Sequence, residues 1–171
     1  VTDIDEVDIS GISDTDGAAE TVAEDAGIGS AVGITALATD DDVDDNVTYS
    51  LTDDAGGLFT IDANTGIITT AAALDYESAV SHSITVLATS DDASTSSRIF
   101  TITVTDVNDN APVITAAQSF TLSESAANGF SLGNAVATDV DTGTTLSGWT
   151  ITGGNVDGIF DIDASTGEIT V

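Results

Sequence analysis

Between positions 106 and 112 the chain reads Asp106-Val107-Asn108-Asp109-Asn110-Ala111-Pro112. Four side chains of that run end in oxygen, none is basic, and the proline stiffens the exit. Hard divalent cations take carboxylate, amide and backbone carbonyl oxygens, typically about six to eight of them, and Ca²⁺ is the ion such a donor set suits best. The chemistry on offer is cation ligation. One short run cannot complete a coordination shell, so other segments must bring oxygens to the same place.

Competing chemistries fail on context. Asp40-x-Asp42-x-Asp44 begins like an EF-hand loop, but its twelfth position is Leu51 and no helical pattern flanks it. Gly129-Phe130-Ser131-Leu132-Gly133 spells a hydrolase elbow, a motif that needs a strand-to-helix turn and a His partner. The single histidine, His82, lies in the other half of the chain and reads as a strand-edge residue, since no second His or Cys exists to share a zinc ion. Gly27-Ile28-Gly29-Ser30 lacks the Lys of a phosphate loop. Trp149 and Phe130 read as core aromatics, and Arg98 is assigned no role. No nucleophile–base pair can be assembled, so an enzyme is the least expected class.

Composition points the same way. One Lys or Arg stands against 30 Asp and Glu, a formal charge of -29 over 171 residues. Such a chain repels phosphate backbones and anionic membranes and attracts cations. Yet 41% of residues are hydrophobic, enough to pack cores despite the charge. There is no Cys to form disulfides, no uninterrupted apolar run of membrane-spanning length, and no N-terminal Met or leader, as expected of a piece of something longer.

Self-similarity organises the elements that must position the oxygens. Ala38-Thr39-Asp40 returns as Ala137-Thr138-Asp139, and Phe59-Thr60-Ile61-Asp62-Ala63-Asn64-Thr65-Gly66 returns as Phe160-Asp161-Ile162-Asp163-Ala164-Ser165-Thr166-Gly167. Val1-Thr2-Asp3 likewise echoes Val104-Thr105-Asp106, so the chain is a tandem array with a period of roughly a hundred residues. Short runs rich in Val, Ile and Thr at 21–24, 34–38, 47–51, 58–61, 67–70, 83–88 and 98–105 alternate inward and outward residues, separated by Gly, Asn and Asp. Phe100, Ile102 and Val104 fall on one face, and Ile99, Thr101 and Thr103 on the other. Seven such strands suit an all-β Greek-key sandwich, with Gly66 supplying a positive φ in a tight turn. The second repeat lacks counterparts of the last two strands, as at a boundary of expression or proteolysis, or in a subunit completed by strand donation.

The run 106–112 resembles the inter-repeat linker of the cadherin family without a mismatch, and Leu74-Asp75-Tyr76-Glu77 is similar to that family's Leu-Asp-Arg-Glu, with Tyr76 in place of Arg. The resemblance implies tandem seven-stranded sandwiches joined by calcium: 1–18 the end of a preceding linker and lead-in, 19–105 repeat 1, 106–112 the linker, 113–171 an incomplete repeat 2. It also implies the ligands. Glu24, Asp75, Glu77, Asp106, Asn108 and Asp109 would offer side chains, Val107 and Asn110 backbone carbonyls, and Asp139 and Asp141 would complete the joint from repeat 2. About three Ca²⁺ per joint would nearly neutralise its seven carboxylates, which otherwise repel one another. A weaker, upstream set comprises Asp3, Asp5, Glu6, Asp40 and Asp42, with Asp91 or Asp92. Most other acids, including Asp14, Asp16, Asp44, Asp45, Asp53 and Asp54, read as a solvated face.

Two function classes follow from this reading. The first is a structural and adhesive module, the spacer repeats of a long secreted or surface adhesin in cell adhesion or biofilm. The low Lys and Cys content resembles bacterial examples more than animal ones. The second is a binding module, either an extracellular filament subunit completed by strand donation from other copies of itself or a carbohydrate-binding repeat. Expected partners are calcium and neighbouring repeats, without nucleic acid or membrane insertion. Positions 1–10 hold no Trp, so adhesion through an exchanged N-terminal strand anchored by Trp is not carried over.

Overall fold

Strands, the longer of them rich in β-branched residues, build the regular structure of the described residues. The computed structural model describes residues 8–42 and 45–171, and among these no helix is present. Two units separate between Val107 and Asn108.

Unit 1 carries β1 (Ser13–Asp14), β2 (Thr21–Ala23), β3 (Ala31–Leu37), β4 (Thr48–Asp53), β5 (Phe59–Ile61), β6 (Ile67–Thr70), β7 (Ser81–Thr89) and β8 (Thr95–Thr105). One sheet runs β1-β3-β6-β5 and the other β2-β8-β7-β4. The chain changes sheets after β1, β2, β3, β4 and β6, the crossing expected of a Greek-key sandwich. All ladders are antiparallel except one: β2 lies parallel to β8, with Ala23 beside Thr105. The longest ladder joins β7 to β8 from Ser81↔Thr103 to Thr89↔Thr95.

The core is where the inward faces meet. Val32, Ile34, Ala36, Phe59 and Ile68 come from one sheet, and Val22, Ile84, Val86, Ala88, Phe100, Ile102 and Val104 from the other. The expected alternation on β8 is observed, since Phe100, Ile102 and Val104 are buried while Ile99 is 67% exposed. The sequence expectation missed β1, a two-residue strand too short to show a period, and placed strand boundaries up to three residues away, as at the starts of β3 and β8. Ile9 and Ile12 of the lead-in also enter this core. Gly66 does adopt φ 70°, and a Cβ there would collide with the Ala36 carbonyl oxygen.

Unit 2 repeats only part of this plan. Here β9 (Val113–Ile114) pairs with β11 (Ala137–Thr138), and β10 (Ser131–Asn134), β13 (Glu168–Thr170) and β12 (Asp161–Ile162) form a three-stranded sheet in that order. Phe160, the counterpart of the 2%-exposed Phe59, is 36% exposed, because no sheet equivalent to β2-β8-β7-β4 stands over it among the described residues. Phe130 is exposed rather than part of a core, whereas the Trp149 ring packs against Gly167. Phe120, Leu122, Leu132, Ile151, Phe160 and Ile169 line an open apolar groove of about 340 Å³.

The internal repeat recurs in its turn chemistry. Asp62 Oδ1 accepts the Thr65 and Asn64 amides and the Thr65 hydroxyl, and Asp163 Oδ1 does the same with Thr166 and Ser165. The Thr65 amide, with the other two donors behind it, holds the Asp62 carboxyl below its ordinary range.

Two outcomes follow from this packing. Phe100→Ala should cost about 3–5 kcal/mol in denaturant unfolding, against under about 1 kcal/mol for Ile99→Ala on the opposite face of the same strand. Because the folded Asp62 is the stronger acid, its contribution is complete above the unfolded value, about 4, and is lost as pH falls through the folded one. The stability gap between the wild type and Asp62→Ala should therefore narrow on acidification below that value. A gap unchanged down to about pH 2 would contradict the assignment.

Candidate metal centres

At one end of unit 1, strands that run in parallel finish together. The β2–β8 register carries on past the last paired residues, where the Glu24 amide donates to the Thr105 carbonyl at 3.1 Å. The Glu24 side chain is buried, and its two oxygens part company: Oε1 accepts the Val107 amide at 2.7 Å and Oε2 the Tyr76 amide at 2.7 Å. One carboxylate thus ties the loop after β6 and the residues after β8 to the end of β2.

Asp75 and Glu77 flank Tyr76 and are exposed. The Ser78 hydroxyl donates to Asp75 Oδ2 at 2.7 Å and its amide to Oδ1 at 3.0 Å, and these two donors, the hydroxyl foremost, keep the Asp75 carboxyl ionised below its ordinary range. Asp106 is half-buried directly after β8. Glu24, Tyr76 and Val107 are therefore joined by direct contacts, with Asp75, Glu77 and Asp106 as their chain neighbours.

Unit 2 gathers the remaining linker residues. Asn110 donates its backbone N–H to Asp141 Oδ2 at 3.0 Å and its side-chain amide to Asp141 Oδ1 and to Asp109 Oδ1. Asp139 Oδ1 accepts the Asp141 amide at 3.2 Å, and Asn108 donates to the Thr144 hydroxyl at 2.8 Å. Thr144 escaped the sequence reading because a lone Thr in a polar turn carries no signal. The Asn110 backbone carbonyl, named as the donor, belongs to a residue whose N–H groups already order the two acids.

The opposite end of unit 1 holds a second set. One carboxylate oxygen each from Asp40, Asp45 and Asp92 lies within 4.8 Å of the other two. Asp40 Oδ1 accepts the Asp42 amide, while its Oδ2 is buried with no hydrogen-bond partner among the described residues. The Ser90 hydroxyl, two positions from Asp92, is buried in the same condition. Tyr49 anchors the approach, exchanging hydrogen bonds with the Ala38 amide and carbonyl.

This three-way group differs from the set named from the sequence in two respects. Asp45, placed among the solvated acids, belongs to the cluster. Asp42 and Asp91 stand outside the three-way group, and Asp91 accepts the Asn46 amide at 3.2 Å. Asp3, Asp5 and Glu6, assigned to the same set, lie outside the described residues, as does Asp44. Asp14, Asp16, Asp53 and Asp54 are not merely hydrated either, since each accepts a backbone amide in a local turn.

The donor chemistry fits a hard cation. All donors are oxygen, the sole base Arg98 is engaged with the Ile12 carbonyl and lies over the Phe100 ring, and a buried carboxylate oxygen without a donor calls for positive charge.

Comparison with known proteins adds the family. A model of the Cadherin domain matches residues 19–107. Mouse Protocadherin Fat 4 is 37% identical over 141 residues, covering 80% of this chain, and chicken (Gallus gallus) Cadherin-7 is 37% identical over 124 residues, covering 70%. The chain spans only 3% of the first relative and 16% of the second. Among solved structures, repeats EC22–24 of mouse Cadherin-23 superpose with a TM-score of 0.73 at 29% identity, covering 99% of this chain and 55% of that one. Repeats EC1–2 of human Protocadherin-24 give 0.66 at 27% identity, covering 89% and 73%.

Proposed function

The chain belongs to the cadherin family, and from that membership we propose that it is a calcium-stiffened extracellular module whose working part is the run 106–112. Residues 19–105 form one repeat, 106–112 the linker, and 113–171 part of a second repeat. Glu24, Asp75, Glu77, Asp106 and the Val107 carbonyl supply oxygens from the first repeat. Asn108, Asp109, the Asn110 carbonyl, Asp139 and Asp141 supply them from the linker and the second repeat. About three Ca²⁺ would bring these sets together.

The observation that carries this reading is the separate ordering of both ligand sets by backbone and amide N–H groups: Val107 and Tyr76 on Glu24, Asn110 on Asp109 and Asp141. None of these donors carries a positive charge, and a divalent ion would supply it. When bound, the ions supply charge compensation and cross-linking between oxygens. The residues of the chain supply the order, the exclusion of basic competitors and the reach of the linker. A second ion set at the far end of unit 1 uses Asp40, Asp45 and Asp92.

The wider role is that of spacer repeats in a long secreted or surface adhesin of bacterial kind. The 30 acids, the absence of Cys and the single base support it, as does the small fraction of each long relative that the chain spans. One observation supports a second reading. The open apolar groove of unit 2 suits completion by strands from another chain, as in a filament subunit.

Calorimetric Ca²⁺ titration of the chelator-stripped chain should reveal sites that disappear in the Asp106→Ala, Asp139→Ala double variant. Heat absent at millimolar Ca²⁺, or unchanged in the variant, would end the linker assignment. Saturating Ca²⁺ at a hundredfold excess over Kd should raise stability by about 2.7 kcal/mol per site linked to folding. For the second reading, sedimentation at micromolar concentration should show concentration-dependent assembly, and a strictly monomeric chain would rule it out.

A further inference from the structure

We propose that Glu24 is a positioning residue as well as a ligand: a clamp, independent of any ion, that fixes the first-repeat half of the linker site in advance. The calcium reading gives the clamp its purpose, but the clamp itself rests on contacts within unit 1.

Glu24 is 6% exposed, an unusual place for a carboxylate in a chain with a single base. Burying a charge without a partner is prohibitive, and here no cationic side chain provides one. Two backbone amides do so instead. Val107 donates to Oε1 and Tyr76 to Oε2, each at 2.7 Å, the short distance of a charge-assisted bond. Val107 is 83 residues from Glu24 in sequence and Tyr76 is 52 away, so the side chain joins three segments that the chain alone would leave independent.

The geometry leaves Glu24 free to do more. A carboxylate has about four lone-pair directions, and two are taken by the Val107 and Tyr76 N–H groups. The two amide bonds therefore do not exhaust its capacity to accept a cation. Clamp and ligand are therefore compatible on one carboxylate. Ordering the loop at 75–77 and the residues at 106–107 is accomplished before the ion arrives, so that cost is not charged against binding.

A residue that only ligated the ion would leave the ion-free protein unchanged. One that only filled the core would, on removal, loosen the whole unit. A clamp does neither, and amide hydrogen exchange separates the three.

The experiment is residue-resolved exchange on the whole chain in excess chelator, for the wild type, Glu24→Ala and Glu24→Gln. In the wild type the Val107 and Tyr76 amides should be protected without any ion. Glu24→Ala should speed both by roughly tenfold or more, while amides inside the β7–β8 ladder keep their rates. Glu24→Gln, which retains one carbonyl acceptor, should fall between and serves as the test if the alanine variant does not fold. Unprotected Val107 and Tyr76 amides in the ion-free wild type, or protection unaffected by either substitution, would overturn the clamp. Failure of the calcium reading would show separately, as absent heat in a Ca²⁺ titration of the wild type with the exchange pattern intact.

Discussion

A chain with 30 acids and one base cannot neutralise its carboxylates by ion pairing, and that scarcity governs how this molecule is built. Three fates remain for a carboxylate: water, a neutral N–H or O–H donor, or a metal ion. The fold uses the second wherever the backbone turns. Asp14, Asp16, Asp53, Asp54, Asp62 and Asp163 each accept a nearby amide and so define the turns between strands. Arg98 is spent on the Ile12 carbonyl and the Phe100 ring and is not available as a counter-charge. The third would serve the acids that the fold gathers closely or buries.

Glu24 and Asp40 show how sharply the two fates differ. Both place a carboxylate at the end of a strand, β2 and β3 respectively. Glu24 is satisfied at both oxygens by amides from remote segments. Asp40 is satisfied at one oxygen only; the other is buried with no donor among the described residues, beside the carboxylates of Asp45 and Asp92. Like charges within 4.8 Å raise one another's free energy, and a cation would relieve it. The first end of unit 1 is ordered by its own backbone amides. The second end gathers three carboxylates that a cation would neutralise.

Much of this was legible in the residues. The alternation at Phe100, Ile102 and Val104 fixed an inward face, and Gly66 marked its turn. What escaped notice depends on distance in sequence or on indistinct context. Asp45 sits in an acid-rich stretch where every residue looks alike, and only the meeting of β4 with β7, Thr48 beside Thr89, brings it to Asp92. The two bonds of Glu24 join partners that no local pattern relates. β1 is two residues long and owes its existence to pairing with β3. In unit 2 the segment around Leu122 stays out of strand geometry although its counterpart at Val22 forms β2, because β2 is held by β8 and nothing among residues 108–171 takes that place. Strand propensity is a context effect, and here the same pattern gives different results with and without a neighbour.

The parallel pairing of β2 with β8 decides where the ligand sets can be. In an antiparallel arrangement the end of β2 would meet the beginning of β8, and Glu24 would face Thr95 rather than Thr105. Parallel register sends both strands to the same pole, so that an early acid reaches the residues that begin the linker. The antiparallel β7–β8 ladder fixes the other pole, for it closes at Thr89↔Thr95 with Asp92 in the turn between. Nine residues of β7 separate the two poles, roughly 27–30 Å at about 3.3 Å per residue. That separation exceeds the Debye length at physiological salt, about 8 Å, several times over, so charge at one pole is screened from the other. A cation at either end would therefore act on its own pole alone.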